Sequence, residues 1–306
     1  MSTSRVPPEV LESFPGAPQR PVNPQALAAV NFRHATAQTS VDAIVPFLAN
    51  EWNALETIGL HGAVIGLSGG LDSVVAIRLC QMASGGFRPL RAITVNLGRP
   101  GDAERTAAYQ KCARRMGVEH LVIDASDLRR AMLEACPASG PWSGINTDTR
   151  LIQDLVFGVA DRHRSSVVST SDLSEKLMGR QTEAFYGQVE PLGSLYKSEV
   201  IDIANALELT DTLVDRRPGC EDYWYDDEVL GVGYNVIDPL LHLLQTENRA
   251  PSWIAEAYGI VDIAWLERLA YRVATQRLRT QCRWPIIPHI DQPTDRHMHV
   301  PTSQFD

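Results

Sequence analysis

VIGLSGGLDSVVAIRLC, residues 64–80, runs from an apolar stretch through a glycine-rich turn straight into a helical pattern. Ala63–Leu67 predicts a short buried strand, and Asp72 to Met82 a helix with Val75, Leu79 and Met82 on one face. Between them, Gly69 and Gly70 let backbone N–H groups approach an anion, and the helix N-terminus adds its positive dipole. Ser68 and Ser73 add hydroxyl donors. A phosphate-type ligand at the C-terminal end of a parallel strand is where such sheets bind. Neither the Gly-x-x-x-x-Gly-Lys-Ser/Thr loop nor the GxGxxG fingerprint is present, which sets aside the two commonest phosphate-binding turns. Asp72 is the unusual member, because a carboxylate inside a phosphate nest repels its ligand. A shared magnesium ion reconciles the two. The plain structural alternative is a tight turn followed by an acid that the helix dipole favours.

Outward from this stretch, strands and helices alternate. Val41 to Leu60 repeats apolar residues at helical spacing. Ala92–Leu97 predicts a strand, and Asp102 is placed to N-cap a helix that Gly117 ends. His120–Ala125 predicts the next strand, and Asp127 opens another helix. Thr147 or Asp148 is expected to cap a helix reaching His163, before a strand at Val167–Thr170. Tyr196 to Leu207, Val229–Leu244 and Ile263–Leu278 are expected as helices, with a loop at Asp211–Asp227 and an extended end from Trp284 to Asp306. The alternation predicts an α/β fold, a mostly parallel sheet doubly wound by helices, with helical N- and C-terminal additions.

Composition sets the frame. The chain has 306 residues, 44% hydrophobic and 21% charged, which suits one large decorated globular domain. A formal net charge of -9 disfavours a nucleic-acid footprint. Cysteines at 80, 112, 136, 220 and 282 form no CxxC pair, so a disulfide framework or structural zinc site is not expected. With no apolar signal core and no run of membrane-spanning length, the expectation is a cytoplasmic protein without membrane or nucleic-acid partners.

The six-residue turn Ser68-Gly69-Gly70-Leu71-Asp72-Ser73 resembles the SGGxDS pyrophosphate loop of the N-type ATP pyrophosphatases, which cleave ATP to AMP and pyrophosphate while adenylating a substrate. Later motifs are similar to those of the NAD synthetase family within that group. Asn146-Thr147-Asp148-Thr149-Arg150 is like its Asn-x-x-x-Arg helix start. Val167 to Glu175 (VVSTSDLSE) is like its Val-Leu-Gly-Thr-Gly-Asn-x-Ser-Glu, and Pro191 to Lys197 (PLGSLYK) like its Pro-Leu-Gly-Asp-Leu-Tyr-Lys. Asp226-Asp227-Glu228-Val229-Leu230-Gly231 with Tyr234 and Asp238 is similar to another family stretch. The resemblance covers about residues 38 to 290, leaving an N-terminal arm at 1–37 and a tail at 291–306.

The resemblance implies an adenine nucleotide alpha hydrolase-like fold and an ammonia-dependent ligase that turns deamido-NAD into NAD. It also implies roles for named residues. Ser68, Gly69, Gly70, Leu71, Asp72, Ser73, Arg150, Thr170 and Lys197 would bind ATP and its pyrophosphate, with Asp72, Lys197 and Ser73 closest to catalysis. Asp72 and Glu175 would hold Mg2+. Asn146, Arg180, Glu183 and Phe185 are candidates for the second substrate. Each has a plain alternative: Glu175 as a solvated helix acid, Lys197 and Arg150 as surface cations. Tyr223, Trp224 and Tyr225 read equally well as packing residues. His297 and His299 lack a further partner for a metal.

Departures from the family are uneven. Ser169-Thr170-Ser171-Asp172 replaces Gly-Thr-Gly-Asn, so an acid stands for an amide. Arg180 to Gly187 replaces the family's Tyr-Phe-Thr-Lys-Tyr-Gly-Asp-Gly loop, with its lysine either replaced by Glu183 or deleted, and Ile152 stands for the second Arg of Arg-x-Arg. The ATP positions are retained and the acceptor positions are not. One alternative is therefore a ligase amidating another carboxylate in secondary metabolism. Another is an inactive nucleotide-binding partner, which the joint retention of Asp72, Glu175 and Lys197 argues against. A tRNA modifier is disfavoured by the charge and by the absence of cysteine pairs. The expected partners are a small carboxylate, ammonia or an amine, a possible separate glutaminase, and a second copy in a homodimer.

Overall fold

Four strands, β1 (Gly62–Gly66), β2 (Leu90–Asn96), β3 (Glu119–Asp124) and β4 (Ser165–Val168), pair in the order β3-β2-β1-β4. All three pairings are parallel. The computed structural model describes residues 7, 10, 12, 14–33, 36–85, 88–180, 182, 187–214 and 224–281. The expected extended end after Trp284, the two tail histidines, Glu183 and Phe185 fall outside them.

The helices are α1 (Pro24–Leu27), α2 (Ala37–Thr57), α3 (Leu71–Ser84), α4 (Asp102–Met116), α5 (Ser126–Ala135) and α6 (Pro141–Arg162). After β4 come α7 (Leu173–Met178), α8 (Lys197–Ala206), α9 (Asp226–Leu230), α10 (Tyr234–Gln245), α11 (Pro251–Tyr258) and α12 (Ile263–Gln281). The strand side chains alternate between two cores. Ala63, Ile65, Ala92 and Val168 face a core built with α2, α3, α4 and α8. Val64, Ile93 and Val167 face the other, closed by Val156 and Ala160 of α6. With both faces covered, β1 reads as a continuous apolar run, as a doubly wound parallel sheet requires.

A third core lies in the added helices. Val10, Phe14, Val22, Leu27, Val30 and Phe32 of the N-terminal arm pack with Leu177, Trp224, Ile237, Trp265 and Leu269. The arm is also pinned by polar contacts: Trp265 Nε1 donates to Gly16 O at 2.8 Å, and Gln19 N donates to Asp262 Oδ2 at 2.6 Å.

Three sequence expectations change. Asp102 is the first helical residue rather than the cap; left-handed Gly101 (φ 81°) holds the N-cap position, and the Asp102 carboxylate accepts from Leu97 N and Arg99 N instead. Helix α6 starts at Pro141, six residues before Thr147, with proline supplying the fixed φ of a first turn. Thr147 Oγ1 donates back to Ser143 O, and Asp148 is drawn away by Arg129, so neither caps. The single helix expected over Val229–Leu244 is two, because Gly231 takes φ 72° where the arm passes: a Cβ there would lie 2.2 Å from Ala17 Cα.

Candidate functional site

The β1–α3 turn has the local chemistry its glycines permit. Gly69 takes φ 67°, and a Cβ added to it would stand 2.7 Å from both Tyr109 and Val214. Ser73 is buried, its hydroxyl donating to Gly70 O at 3.0 Å and 3.4 Å from Ser68 Oγ, which is on the exposed side. Leu71 is buried and opens α3, and Asp72 follows in its first turn.

Beside this turn sits Lys197, the first residue of α8. Its side chain is 1% exposed, and its Nζ lies 2.7 Å from Asp72 Oδ2, 2.7 Å from Asp172 Oδ2 and 3.3 Å from Glu175 Oε1. It is not a surface cation. Burial works against its charge, but the three carboxylates outweigh that and hold its pKa well above the ordinary lysine value. Burial raises Asp172 well above the usual carboxylate range against the pull of Lys197, and Glu175 and Asp72 add to the rise. Glu175 is raised for the same leading reason.

Why these segments meet is also legible in contacts. Leu173 N donates to Leu195 O, and Lys197 N donates to Ser174 Oγ, joining the start of α8 to the start of α7. Fully buried Asp238 of α10 ties both down. Its carboxylate accepts from Ser174 Oγ at 2.6 Å, Ser198 N at 2.8 Å and Ser198 Oγ at 2.6 Å. Burial lifts its pKa to about 6, opposed by these hydrogen bonds.

The cluster can accept a divalent cation. Oxygens of Asp72, Asp172 and Glu175 all lie within 4.8 Å of one another. Asp72 Oδ1 is buried with no hydrogen-bond partner among the described residues. Hard carboxylate oxygens are the donor set that Mg2+ takes.

Next to the turn opens a cavity of about 330 Å3 at the C-terminal ends of β1, β2 and β4. The strand order reverses between β1 and β4, the switch point where open parallel sheets bind ligands. Ser68 and Thr170 line it, as do Ile93, Val156 and Val167. Arg99, Tyr109, Thr149 and Gln153 also line it; the sequence alone did not single them out. Arg99 is the cation among its lining residues, with Nη1 3.7 Å from Asp148 Oδ2. Ile152 faces the same space, whereas Arg150 is exposed and not in the cavity wall.

Among the second-substrate candidates, Asn146 Oδ1 accepts from Thr182 Oγ1 at 3.0 Å. Arg180 Nη2 lies 2.6 Å from Asp226 Oδ1, while the Tyr234 hydroxyl donates to the other oxygen of Asp226. Phe14 of the arm lies beneath Arg180, 5.9 Å from guanidinium to ring centroid, and Trp142 stands between Phe14 and Trp224. Trp224 is buried in the third core, a packing role. Asp172 and Asp238 stand in the family-like motifs, but sequence reading gave neither a part in the site; the one signal for Asp172 was an acid standing for an amide beside Thr170.

Known proteins resemble this chain in sequence and in fold. A family model described as NAD synthase matches residues 40–273. The NH(3)-dependent NAD(+) synthetase of Methanosarcina acetivorans is 29% identical over 214 residues, covering 66% of this chain and 80% of the relative. Two solved structures share the fold. NMN synthetase from Francisella tularensis gives a TM-score of 0.65 at 19% identity, covering 85% of this chain and 99% of its own. The NH3-dependent NAD synthetase from Campylobacter jejuni gives 0.64 at 21%, covering 84% and 100%.

Proposed function

Because this chain belongs to the NAD synthase family, we propose that it uses ATP to adenylate the carboxylate of deamido-NAD and passes the acyl group to ammonia, forming NAD. The observation that carries this reading is the buried Lys197 ammonium among Asp72, Asp172 and Glu175, set against the Ser68–Ser73 turn. A cation, carboxylates and an anion-binding turn converge where pyrophosphate would leave.

On this reading the cavity takes the nucleoside end of ATP. Ile93, Val156 and Val167 suit a purine face, Thr94 and Gln153 offer polar edges, and Ser68 and Thr170 lie toward the phosphates. An oxygen of the acceptor carboxylate attacks the α-phosphorus, and the bond to the β-phosphate oxygen breaks. Pyrophosphate leaves into the turn, where backbone N–H groups, Lys197 and, once turned from Gly70 O, the Ser73 hydroxyl offset its charge. Ammonia then attacks the acyl carbon, AMP departs, and the nitrogen loses a proton to solvent. Asp72 and Glu175 would hold Mg2+, which when bound neutralises phosphate charge. Positioning supplies much of the rate, since the adenylate is already a good leaving group.

The same proposal has the chain working in the cytoplasm as a homodimer, with free ammonia or a separate glutaminase as nitrogen source. Among the described residues no helix is long and apolar enough to cross a membrane. The departures at Arg180 to Gly187 are the one argument for another carboxylate, and the retained Asp72, Glu175 and Lys197 speak against an inactive partner role. The test is direct. Purified protein with ATP, Mg2+, ammonium and deamido-NAD is expected to yield NAD, AMP and pyrophosphate in equal amounts, read by mass spectrometry. ATP turnover to ADP, or no NAD while a different acid is consumed, would overturn it.

A further inference from the structure

The three carboxylates around Lys197 are not equivalent. Asp72 and Glu175 keep 23% and 25% of their side-chain surface exposed, whereas Asp172 has none. Asp172 is also fixed by its other oxygen: Oδ1 accepts from Glu175 N at 2.8 Å and so N-caps α7. Its free choice of rotamer is gone. The remaining oxygen, Oδ2, points at the lysine.

From this asymmetry we infer that Asp172 is the positioning residue for Lys197, holding the ammonium in place when a divalent cation takes over Asp72 and Glu175. The inference rests on the function proposed above. Without the cation, Lys197 is shared among three carboxylates. Asp72 and Glu175 are the two that can turn outward to a cation and to phosphates, and a cation on them weakens their hold on the lysine. Asp172 is the least able to follow, because it is fully buried and its Oδ1 is committed to the helix cap. A lysine left without it would keep four rotatable bonds and no fixed partner. With Asp172 in place, the ammonium stays beside the turn as the carboxylates change partners.

The substitution that separates this role from a structural one is Asp172→Asn. Asparagine caps a helix as well as aspartate does, so α7 is retained while the charge facing Lys197 is removed. The readout is the rate at which the Lys197 amine is acetylated by an amine-reactive ester, followed by peptide mass spectrometry, with and without saturating Mg2+. Circular dichroism and melting temperature check the fold. In the parent chain, slow labelling is expected under both conditions. In Asp172→Asn, labelling is expected to stay slow without Mg2+ and to rise about tenfold with it, as one charge-assisted contact is lost. NAD formation by the same variant is expected to fall about a hundredfold in kcat with little change in KM for ATP, the signature of a displaced group rather than lost binding.

Equal labelling of the parent and Asp172→Asn with Mg2+ would overturn the positioning role, as would a parent Lys197 that becomes reactive when Mg2+ is added. A chain that makes NAD but shows either result keeps the proposed function and loses this inference. A chain that makes no NAD yet shows the expected labelling loses the proposed function alone. If Asp172→Asn does not fold, Asp172→Glu serves: it keeps the charge but shifts it by one methylene, and is expected to label at an intermediate rate with Mg2+. Labelling of Asp172→Glu no faster than the parent would also overturn the inference.

Discussion

Lys197, buried, and Arg180, partly buried, both act on the charge of Glu175, and they are held differently. Lys197 is outnumbered by three carboxylates, two of them partly exposed. Arg180 is matched to Asp226, which also accepts from the Tyr234 hydroxyl, and it rests on Phe14 of the N-terminal arm. The first arrangement leaves spare negative charge that can change partners. The second leaves almost none. A surplus of charge marks the part of the molecule that exchanges ligands, and a balanced pair marks the part that holds elements together. Burial, full or partial, is shared by both and distinguishes neither.

Substitutions at the two cations test this contrast. Lys197→Met is expected to cut pyrophosphate release by about a thousandfold, the scale of removing a charge aimed at a transition state. Stopped assays with ATP and deamido-NAD measure it; a loss below tenfold would place the chemistry elsewhere. Arg180→Met is expected to leave buried Asp226 with the Tyr234 hydroxyl but no cation, costing about 3 kcal/mol of stability in urea unfolding. Pyrophosphate release per folded molecule is expected to persist in this variant. If instead Arg180→Met folds normally and loses turnover, Arg180 belongs with the reacting groups.

The turn gives a smaller effect. Gly69→Ala meets both a left-handed backbone and the side chains of Tyr109 and Val214, so about 2 kcal/mol of strain is expected. A thermal melt reads the strain, and ATP titration reads the weakened nest. An alanine variant with parental melting and affinity would show that the turn relaxes freely.

A pH dependence is expected at Asp238, the residue that ties α7 and α8 together. Its folded pKa is raised from 3.8 to about 6. The folded state therefore binds the proton more tightly than the unfolded chain. The stability this contributes is complete below about pH 4 and is lost as pH rises through about 6. Asp238→Asn is expected to be less stable at every pH, because one of the two oxygens that accept from Ser174 and Ser198 becomes an NH2 that cannot accept, but to show a flatter profile between those values. Unfolding free energies at several pH values measure it; an unchanged slope would remove Asp238 as its source.

Much of the fold was readable because β1 and its turn combine an apolar run, glycines and a helix start within a few residues. The helix starts were less so. The first turn of α6, Trp142 to Asn146, mixes serine, glycine and asparagine and is only partly buried, so it carries no apolar period. Thr147 and Asp148 look like caps, but their side chains bond elsewhere in the fold. Gly231 breaks a helix because Ala17, far away in the chain, packs against it. The site divides in the same way. Asp72 and Lys197 were named from motifs, but their contact spans 125 positions and is made by the fold. Asp172 entered only as a departure from a pattern; its meaning depends on the lysine it faces.

If ATP activates the acceptor by forming its adenylate beside Lys197, an oxygen of the acceptor carboxylate must end in AMP. Deamido-NAD carrying heavy oxygen in its carboxylate, turned over with ATP, Mg2+ and ammonium, tests this most directly by mass spectrometry of the nucleotide product. One heavy oxygen is expected in the phosphate of AMP for each NAD formed. Heavy oxygen in inorganic phosphate, with ADP as the nucleotide product, would contradict it.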